Sequence, residues 1–316
     1  MIQTADTMDC TTEKSRQLAA ELTGLVTAET CVRADEPLAR RTTFRVGGPA
    51  DIYVEPASEE DLARVLEFCA HHAEKFFVLG RGSNLLVRDG GFRGVVICLA
   101  HRHFNGIEVA ADRLRCGAGA KLKQIAVEAK RHGLSGMEFL EGIPGSVGGA
   151  LRMNAGAMGG ATFDVLESLR IMDQFGQISE RPAREVPAEY RSCSLLKDHV
   201  ALGAVFRCAC APREEIERRM NAFSKKRWAS QPAAPSAGCV FKNPKTVAAG
   251  QVVDELGLKG LRVGGAVVSQ EHGNFIVNDG QATARDILEL IEKLQKRVLV
   301  ERGIELRTEV QIIGED

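Results

Sequence analysis

The chain has 316 residues, 44% hydrophobic and 26% charged, an ordinary balance for two or three domains with a real core. Its 41 basic and 42 acidic residues leave a net charge of −1, which excludes the basic footprint of a nucleic-acid binder, so an anionic ligand must be caught by local donors. The nine cysteines are odd in number and scattered, with no C-x-x-C; this argues against a disulfide framework or a metal site and fits a reducing, cytoplasmic setting.

The N-terminus, residues 1–35, reads as a peripheral polar segment with helical potential over 12–26. It has neither the basic nor the apolar region of a signal peptide. Residues 51–55 predict a strand. Residues 58–73 predict a helix, with Ser58 and Asp61 spaced as a capping box. A strand at 76–79 runs into Gly80-Arg81-Gly82-Ser83-Asn84-Leu85, and strands follow at 95–99, 106–109 and 114–116. The apolar run 95–100 is too short to cross a membrane, and a soluble protein is expected. A helix over 121–132 stops at Gly133. The glycine-dense stretch 142–160 cannot be regular helix or strand throughout. Strands are predicted at 166–172 and 202–207, and Pro212 starts a helix ending near Arg227. The last unit holds a strand at 239–242, a short helix at 248–256 and strands at 266–268 and 274–277. A long helix over 283–302 carries the apolar stripe Ile287, Leu290, Ile291, Leu294 and Val298, and a strand over 305–313 closes the chain. Short strands mixed irregularly with helices argue for an α+β fold, with boundaries near residues 100 and 212.

Two segments have the look of phosphate loops: Gly80-x-Gly82-x-x-Leu85 and Gly117-x-Gly119-x-x-Leu122. Each lacks the third glycine of the dinucleotide fingerprint, and no P-loop motif is present, so a Rossmann domain or a nucleotide triphosphatase is disfavoured. Successive glycine-rich amides can still form an anion-binding nest, to which Ser83 and Asn84 add side-chain donors. The alternative is a pair of tight turns. The 142–160 stretch has more backbone freedom than a turn needs, which favours a backbone-lined cofactor groove.

Three further places carry reactive side chains: Tyr190-Arg191-Ser192-Cys193, the small-residue segment Ser236-Ala237-Gly238-Cys239-Val240-Phe241-Lys242-Asn243-Pro244, and Glu309 in the closing strand. Taken singly, Arg191 reads as a surface arginine, Cys239 as a small filler and Glu309 as a residue on a solvated strand face.

Six blocks, Thr43-Phe44-Arg45-Val46-Gly47-Gly48-Pro49-Ala50-Asp51, Leu79-Gly80-Arg81-Gly82-Ser83-Asn84-Leu85-Leu86-Val87, the 142–160 stretch, Tyr190-Arg191-Ser192, the segment Ser236 to Pro244 and His272-Gly273-Asn274-Phe275-Ile276-Val277-Asn278, resemble the UDP-N-acetylenolpyruvoylglucosamine reductase (MurB) family in order and spacing. The resemblance spans roughly residues 40–314, and the chain resembles the shorter type without the extra tyrosine-bearing loop. It implies an FAD-binding domain of the vanillyl-alcohol-oxidase type, made of two subdomains at 36–100 and 101–212. It also implies a smaller α+β substrate-binding domain at 213–316, whose last strand returns to the active site. By the same resemblance Gly80, Arg81, Gly82, Ser83, Asn84 and Leu85 hold the FAD pyrophosphate, non-covalently. Ile143, Pro144, Gly145, Gly148, Gly149 and Gly156 line the rest of the flavin groove.

The implied reaction is reduction of UDP-N-acetylglucosamine enolpyruvate by NADPH through FAD, by a monomer that needs no metal, membrane or nucleic acid. Arg191 and Glu309 act on the substrate carboxylate and Cys239 supplies a proton. Arg227, Lys242 and Asn243 are candidates for the substrate diphosphate. An ionised Glu309 would repel the carboxylate, so the protonated form is expected. The family usually has serine where this chain has Cys239, and glycine where it has Arg81. Two other readings stay open from the residues themselves: an oxygen-using flavin oxidase, and a non-catalytic flavin- or sugar-nucleotide-binding protein.

Overall fold

The protein is described here by a computed structural model that covers residues 5–316, with side chains from Glu13 onward. It divides into two units, each discontinuous in sequence. One takes the chain up to Asp35, Asp51–Gly80 and Gly94–Lys225; the other takes Glu36–Ala50, Arg81–Arg93 and Lys226–Asp316. Each has its own core, and the mixture of helices with short strands is the expected α+β class.

In the first unit helix α1 (Ala5–Leu25) buries Ala19 and Leu22 in the core. Helix α2 (Glu59–His71) starts where predicted, because the Ser58 hydroxyl accepts the amide of Asp61 from an extended backbone. Asp61 itself is fully buried. Its carboxylate accepts from the Thr27 amide at 3.0 Å and the Thr30 hydroxyl at 2.6 Å, joining the loop after α1 to the start of α2. A four-stranded sheet runs in the order Cys31–Pro37, Pro49–Glu55, Phe92–Cys98, Phe76–Leu79, the last two parallel. A five-stranded antiparallel sheet runs Ile178–Pro182, Leu166–Met172, Val200–Arg207, Arg113–Gly117, Ile107–Ala110. Helix α3 (Leu122–Arg131) buries Leu122, Ile125, Ala126 and Ala129 and ends before Gly133, at φ +67. The glycine-dense stretch contains one short helix, α4 (Val147–Arg152), and a small hairpin pairing Gly156 with Ala161. Helix α5 spans Arg213–Ser230.

In the second unit helix α7 (Ala284–Arg302) packs over a three-stranded sheet, Arg262–Val263, Ala266–Val268 and Ile276–Asn278, and helix α6 (Ala249–Glu255) packs on α7 in the same core. The predicted stripe of α7 is fully or almost fully buried. Thr283 and Asp286 form its capping box, and Asp89 takes the amides of Ala284 and Arg285 at 2.8 and 2.9 Å. The strand after the first glycine loop, Leu85–Val87, pairs in parallel with Gln311–Ile313. Two expected strands are corrected. The closing strand is confined to Gln311–Ile313, so Glu309 lies outside it. Residues 239–242 form no strand, only a single bridge from Phe241 to Thr308. Gly238, at φ +74, turns the chain just before Cys239, and a side chain takes the place of a neighbouring strand, as described below.

Candidate active site

The two glycine loops differ in what their amides do. Among the described residues, no amide of Arg81, Gly82, Ser83 or Asn84 donates to a backbone carbonyl. The loop is instead held by its carbonyls: Gly82 O accepts Thr43 N at 3.2 Å, and Asn84 O accepts Gln311 N at 3.0 Å. Gly82 sits at φ +60, with Arg41 O only 2.4 Å from where a Cβ would stand, so no other residue fits. Gly80 ends its strand next to the second glycine stretch; a Cβ there would meet Ser146 Oγ at 3.1 Å and Gly149 Cα at 3.9 Å. At the other loop, Ala118 N, Gly119 N and Ala120 N donate to Leu202 O, Phe104 O and Gly117 O at 2.9, 2.9 and 3.1 Å. That segment is a tight turn, the second of the alternatives the spacing allows.

Within 142–160, Ile143 N donates to Leu140 O and Gly148 N to Ala118 O, at 3.1 and 2.8 Å. Gly145 is packed on Leu122, whose Cδ1 would lie 3.2 Å from a Cβ, and Gly156 on Gly160 O, at 2.6 Å. Pro144 is exposed, and Gly149 is open apart from Ser146 Oγ at 3.8 Å.

Arg191 occupies the turn between the two-residue strands Ala188–Glu189 and Ser192–Cys193. It has a left-handed backbone, φ +57, unusual for a residue with a side chain. Its Nη2 donates to Gly156 O at 3.0 Å, and its guanidinium carbon lies 5.2 Å from the centre of the Tyr190 ring. Arg152 Nη1 and Asn154 Nδ2 donate to Cys193 O and Glu189 O, each at 3.3 Å. The turn that carries Arg191 is thus braced by three hydrogen bonds, two donated by the Arg152 and Asn154 side chains and one by Arg191 itself to Gly156 O.

The second unit assembles the thiol and the acid. Val240 stands between them: its carbonyl accepts Glu309 N at 2.7 Å, and Cys239 precedes it in the chain. Asn84 Nδ2 donates to Glu309 O at 3.1 Å, so this side chain of the glycine loop is already engaged by the segment carrying the acid. Cys239 is half-buried. Burial lowers the Arg227 guanidinium below its usual range, and a Coulombic interaction with Cys239 opposes that shift. Lys242 is half-buried and Asn243 exposed; Asn243 Oδ1 accepts the Ala249 amide at 3.0 Å, at the start of α6.

Sequence reasoning gave no role to Thr43, Arg152, Asn154 or Asn274, all of which brace these segments. All four lie in the blocks that resemble the family, which was the available signal. Among the described residues no three His, Cys, Asp or Glu side chains are grouped to hold a metal, and no helix is long and apolar enough to cross a membrane.

Residues 231–313 match the family model described as UDP-N-acetylenolpyruvoylglucosamine reductase, C-terminal domain, and residues 50–180 match an FAD binding domain. The UDP-N-acetylenolpyruvoylglucosamine reductase of Clostridioides difficile is 41% identical over 90% of this chain and 94% of its own. That of Geobacter metallireducens is 43% identical over 95% and 98%. The crystal structure of the enzyme from Thermus caldophilus superposes with a TM-score of 0.80 at 40% identity, covering 90% of this chain and 99% of that one.

Proposed function

The chain belongs to the UDP-N-acetylenolpyruvoylglucosamine reductase family of FAD-dependent oxidoreductases, and from that membership we propose that it reduces UDP-N-acetylglucosamine enolpyruvate to UDP-N-acetylmuramate, with NADPH as reductant, in peptidoglycan precursor synthesis. We place the reaction in the cytoplasm, the reducing setting that the scattered cysteines fit. The observation that carries the reading is the arrangement around Val240: a thiol on one side and the Glu309 segment hydrogen-bonded on the other.

The cofactor fits the donors at hand. The undonated amides of Arg81 to Asn84 suit a pyrophosphate, and the absence of a Cβ at Gly80 lets phosphate oxygens approach the backbone. Ile143, Pro144, Gly145, Gly148, Gly149 and Gly156 would line the remainder of the flavin groove. The chemistry FAD supplies when bound is hydride transfer, from NADPH in one half of the cycle and to the terminal carbon of the enolpyruvyl group in the other.

The chain's residues manage charge and proton. As hydride adds to the terminal carbon, the electron pair of the double bond moves toward the carboxylate. Arg191, always charged and able to donate from a planar fork, stabilises that charge. Glu309 acts in its protonated form, since an ionised carboxylate there would oppose the same charge. Cys239 then gives its proton to the carbon next to the carboxylate and is left as a thiolate, which Arg227 stabilises and solvent reprotonates. A thiol has an ordinary pKa of about 8.5, far below that of a serine hydroxyl, so it releases the proton readily. Arg227, Lys242 and Asn243 form the diphosphate subsite, Asn243 through its Nδ2 because its oxygen caps α6.

Anaerobic half-reactions test this. In Cys239→Ala, NADPH should still bleach the flavin band at the parent rate. Recovery of the band on adding the enol ether should slow about 10²–10⁴-fold, the usual value of a positioned proton donor. Unimpaired recovery would show that the proton comes from elsewhere.

A further inference from the structure

The block His272-Gly273-Asn274-Phe275-Ile276-Val277-Asn278 stands out in the sequence, yet none of its residues has a part in the reaction described above. In the second unit Asn274 is 2% exposed, and its carboxamide grips one peptide pair from both sides. Oδ1 accepts Phe241 N and Nδ2 donates to Phe241 O, each at 2.8 Å, while the Asn274 main-chain oxygen accepts Val240 N at 2.9 Å. A buried carboxamide satisfied on both its donor and acceptor sides acts as a stand-in for an adjacent strand. The segment it grips is the one expected to be a strand, and it carries Cys239.

We propose that Asn274 is a positioning residue for protonation, fixing Cys239 relative to Glu309 through Val240. Val240 is held by Asn274 at its amide and by Glu309 at its carbonyl, at 2.9 and 2.7 Å, so displacement of one partner is passed to the other through a single residue. The other end of the loop is anchored as well. Thr43 Oγ1 donates to Ser236 O at 2.6 Å and Asn278 N to Pro235 O at 2.9 Å. Gly238, at φ +74, then turns the chain between the two anchors and presents residue 239 from the bend. Without the Asn274 carboxamide the bend keeps its first anchor, while its second is reduced to the main-chain bond at Val240, which frees the thiol to shift. A misplacement of about 1 Å can cost roughly 10²-fold in rate.

The inference rests on Cys239 as proton donor, so its test runs on the FAD-loaded enzyme beside Cys239→Ala. Asn274→Asp keeps an acceptor for Phe241 N but sets a second oxygen against Phe241 O. Thr43→Val removes the hydroxyl at the opposite anchor, is close to isosteric at this half-buried position, and keeps the Thr43 amide that Gly82 O accepts at 3.2 Å. Flavin bleaching by NADPH should stay within about twofold of the parent in both. Recovery by the enol ether should slow about 10–100-fold in Asn274→Asp and about 3–10-fold in Thr43→Val, with kcat falling more than KM changes. A purely structural role predicts instead that both half-reactions fall together with flavin content. That result, or parent-like recovery in both variants beside a slow Cys239→Ala, overturns the positioning role alone. Fast recovery in Cys239→Ala removes the proton-donor reading beneath it. If Asn274→Asp does not fold, Thr43→Val decides by the same split.

Discussion

Gly80-Arg81-Gly82 and Gly117-Ala118-Gly119 each follow a strand and each precede a leucine at the same spacing, yet they have opposite fates. At the second, the amides of Ala118, Gly119 and Ala120 are bound inside the fold; at the first, those of Arg81 to Asn84 are not. The glycines are there for different reasons as well. Gly119 has the Leu99 carbonyl 2.0 Å from its missing Cβ, whereas Gly80 faces only a movable serine hydroxyl at 3.1 Å. An anion-binding loop is therefore recognised by the donors that the fold leaves over, and glycine spacing alone does not distinguish it from a turn.

The sharpest way to break this comparison is to add one methyl group to each loop. Gly119→Ala forces a Cβ into backbone oxygen and should destabilise the fold by about 3 kcal/mol or more, read as a fall in the urea midpoint whether or not FAD is present. If that variant is as stable as the parent, the turn is not closed as described.

A smaller effect extends the comparison to a charged group consumed by the fold. Glu138 is 6% exposed and accepts from Ser135 Oγ and Gly136 N, each at 2.7 Å, with Arg219 at 3.3 Å. Burial pushes its pKa up, but these donors outweigh it and hold the carboxyl below the ordinary value near 4.5. With the native pKa depressed, the stabilisation is complete above about pH 4.5 and is lost as pH falls through the lowered native value. Glu138→Gln should cost about 1–3 kcal/mol at pH 7, and the gap from the parent should close in acid. Urea midpoints from pH 7 to pH 3 check it; a gap that is constant with pH would show that the charge is irrelevant.

The smallest effect is the one that bears on function. Gly80→Ala should leave the urea midpoint of the apoprotein unchanged and weaken FAD about tenfold, roughly 1.4 kcal/mol, in a fluorescence titration. Unchanged affinity would place the pyrophosphate away from Gly80.

Much of the framework was legible locally. Ser58 with Asp61 and Thr283 with Asp286 announce their helices, the stripe on α7 is the buried face, and the strand Leu166–Met172 falls where its apolar residues put it. The strands Cys31–Pro37 and Ile178–Pro182 were not seen: both are edge strands, polar enough to hide any alternation. Residues 239–242 looked like a strand because Val240 and Phe241 are apolar and do become buried. Only the Asn274 carboxamide, 33 positions along, shows why no ladder forms. The roles of Arg191 and Cys239 came from their place in two of the six blocks, and that of Glu309 from the family resemblance those blocks carry. Their bracing could not, because Asn84 and Glu309, or Thr43 and Ser236, meet across 225 and 193 positions of chain.

That separation of 225 positions sets a clock on the nascent enzyme. At about 5–20 residues per second, a ribosome that has made Asn84 needs roughly 10–45 s more to make Glu309. For that interval the strand Leu85–Val87 waits without its parallel partner Gln311–Ile313, and Asn84 without the carbonyl its amide is to hold. The acid follows the loop by 225 positions, so every chain acquires its glycine loop long before it can acquire its chemistry.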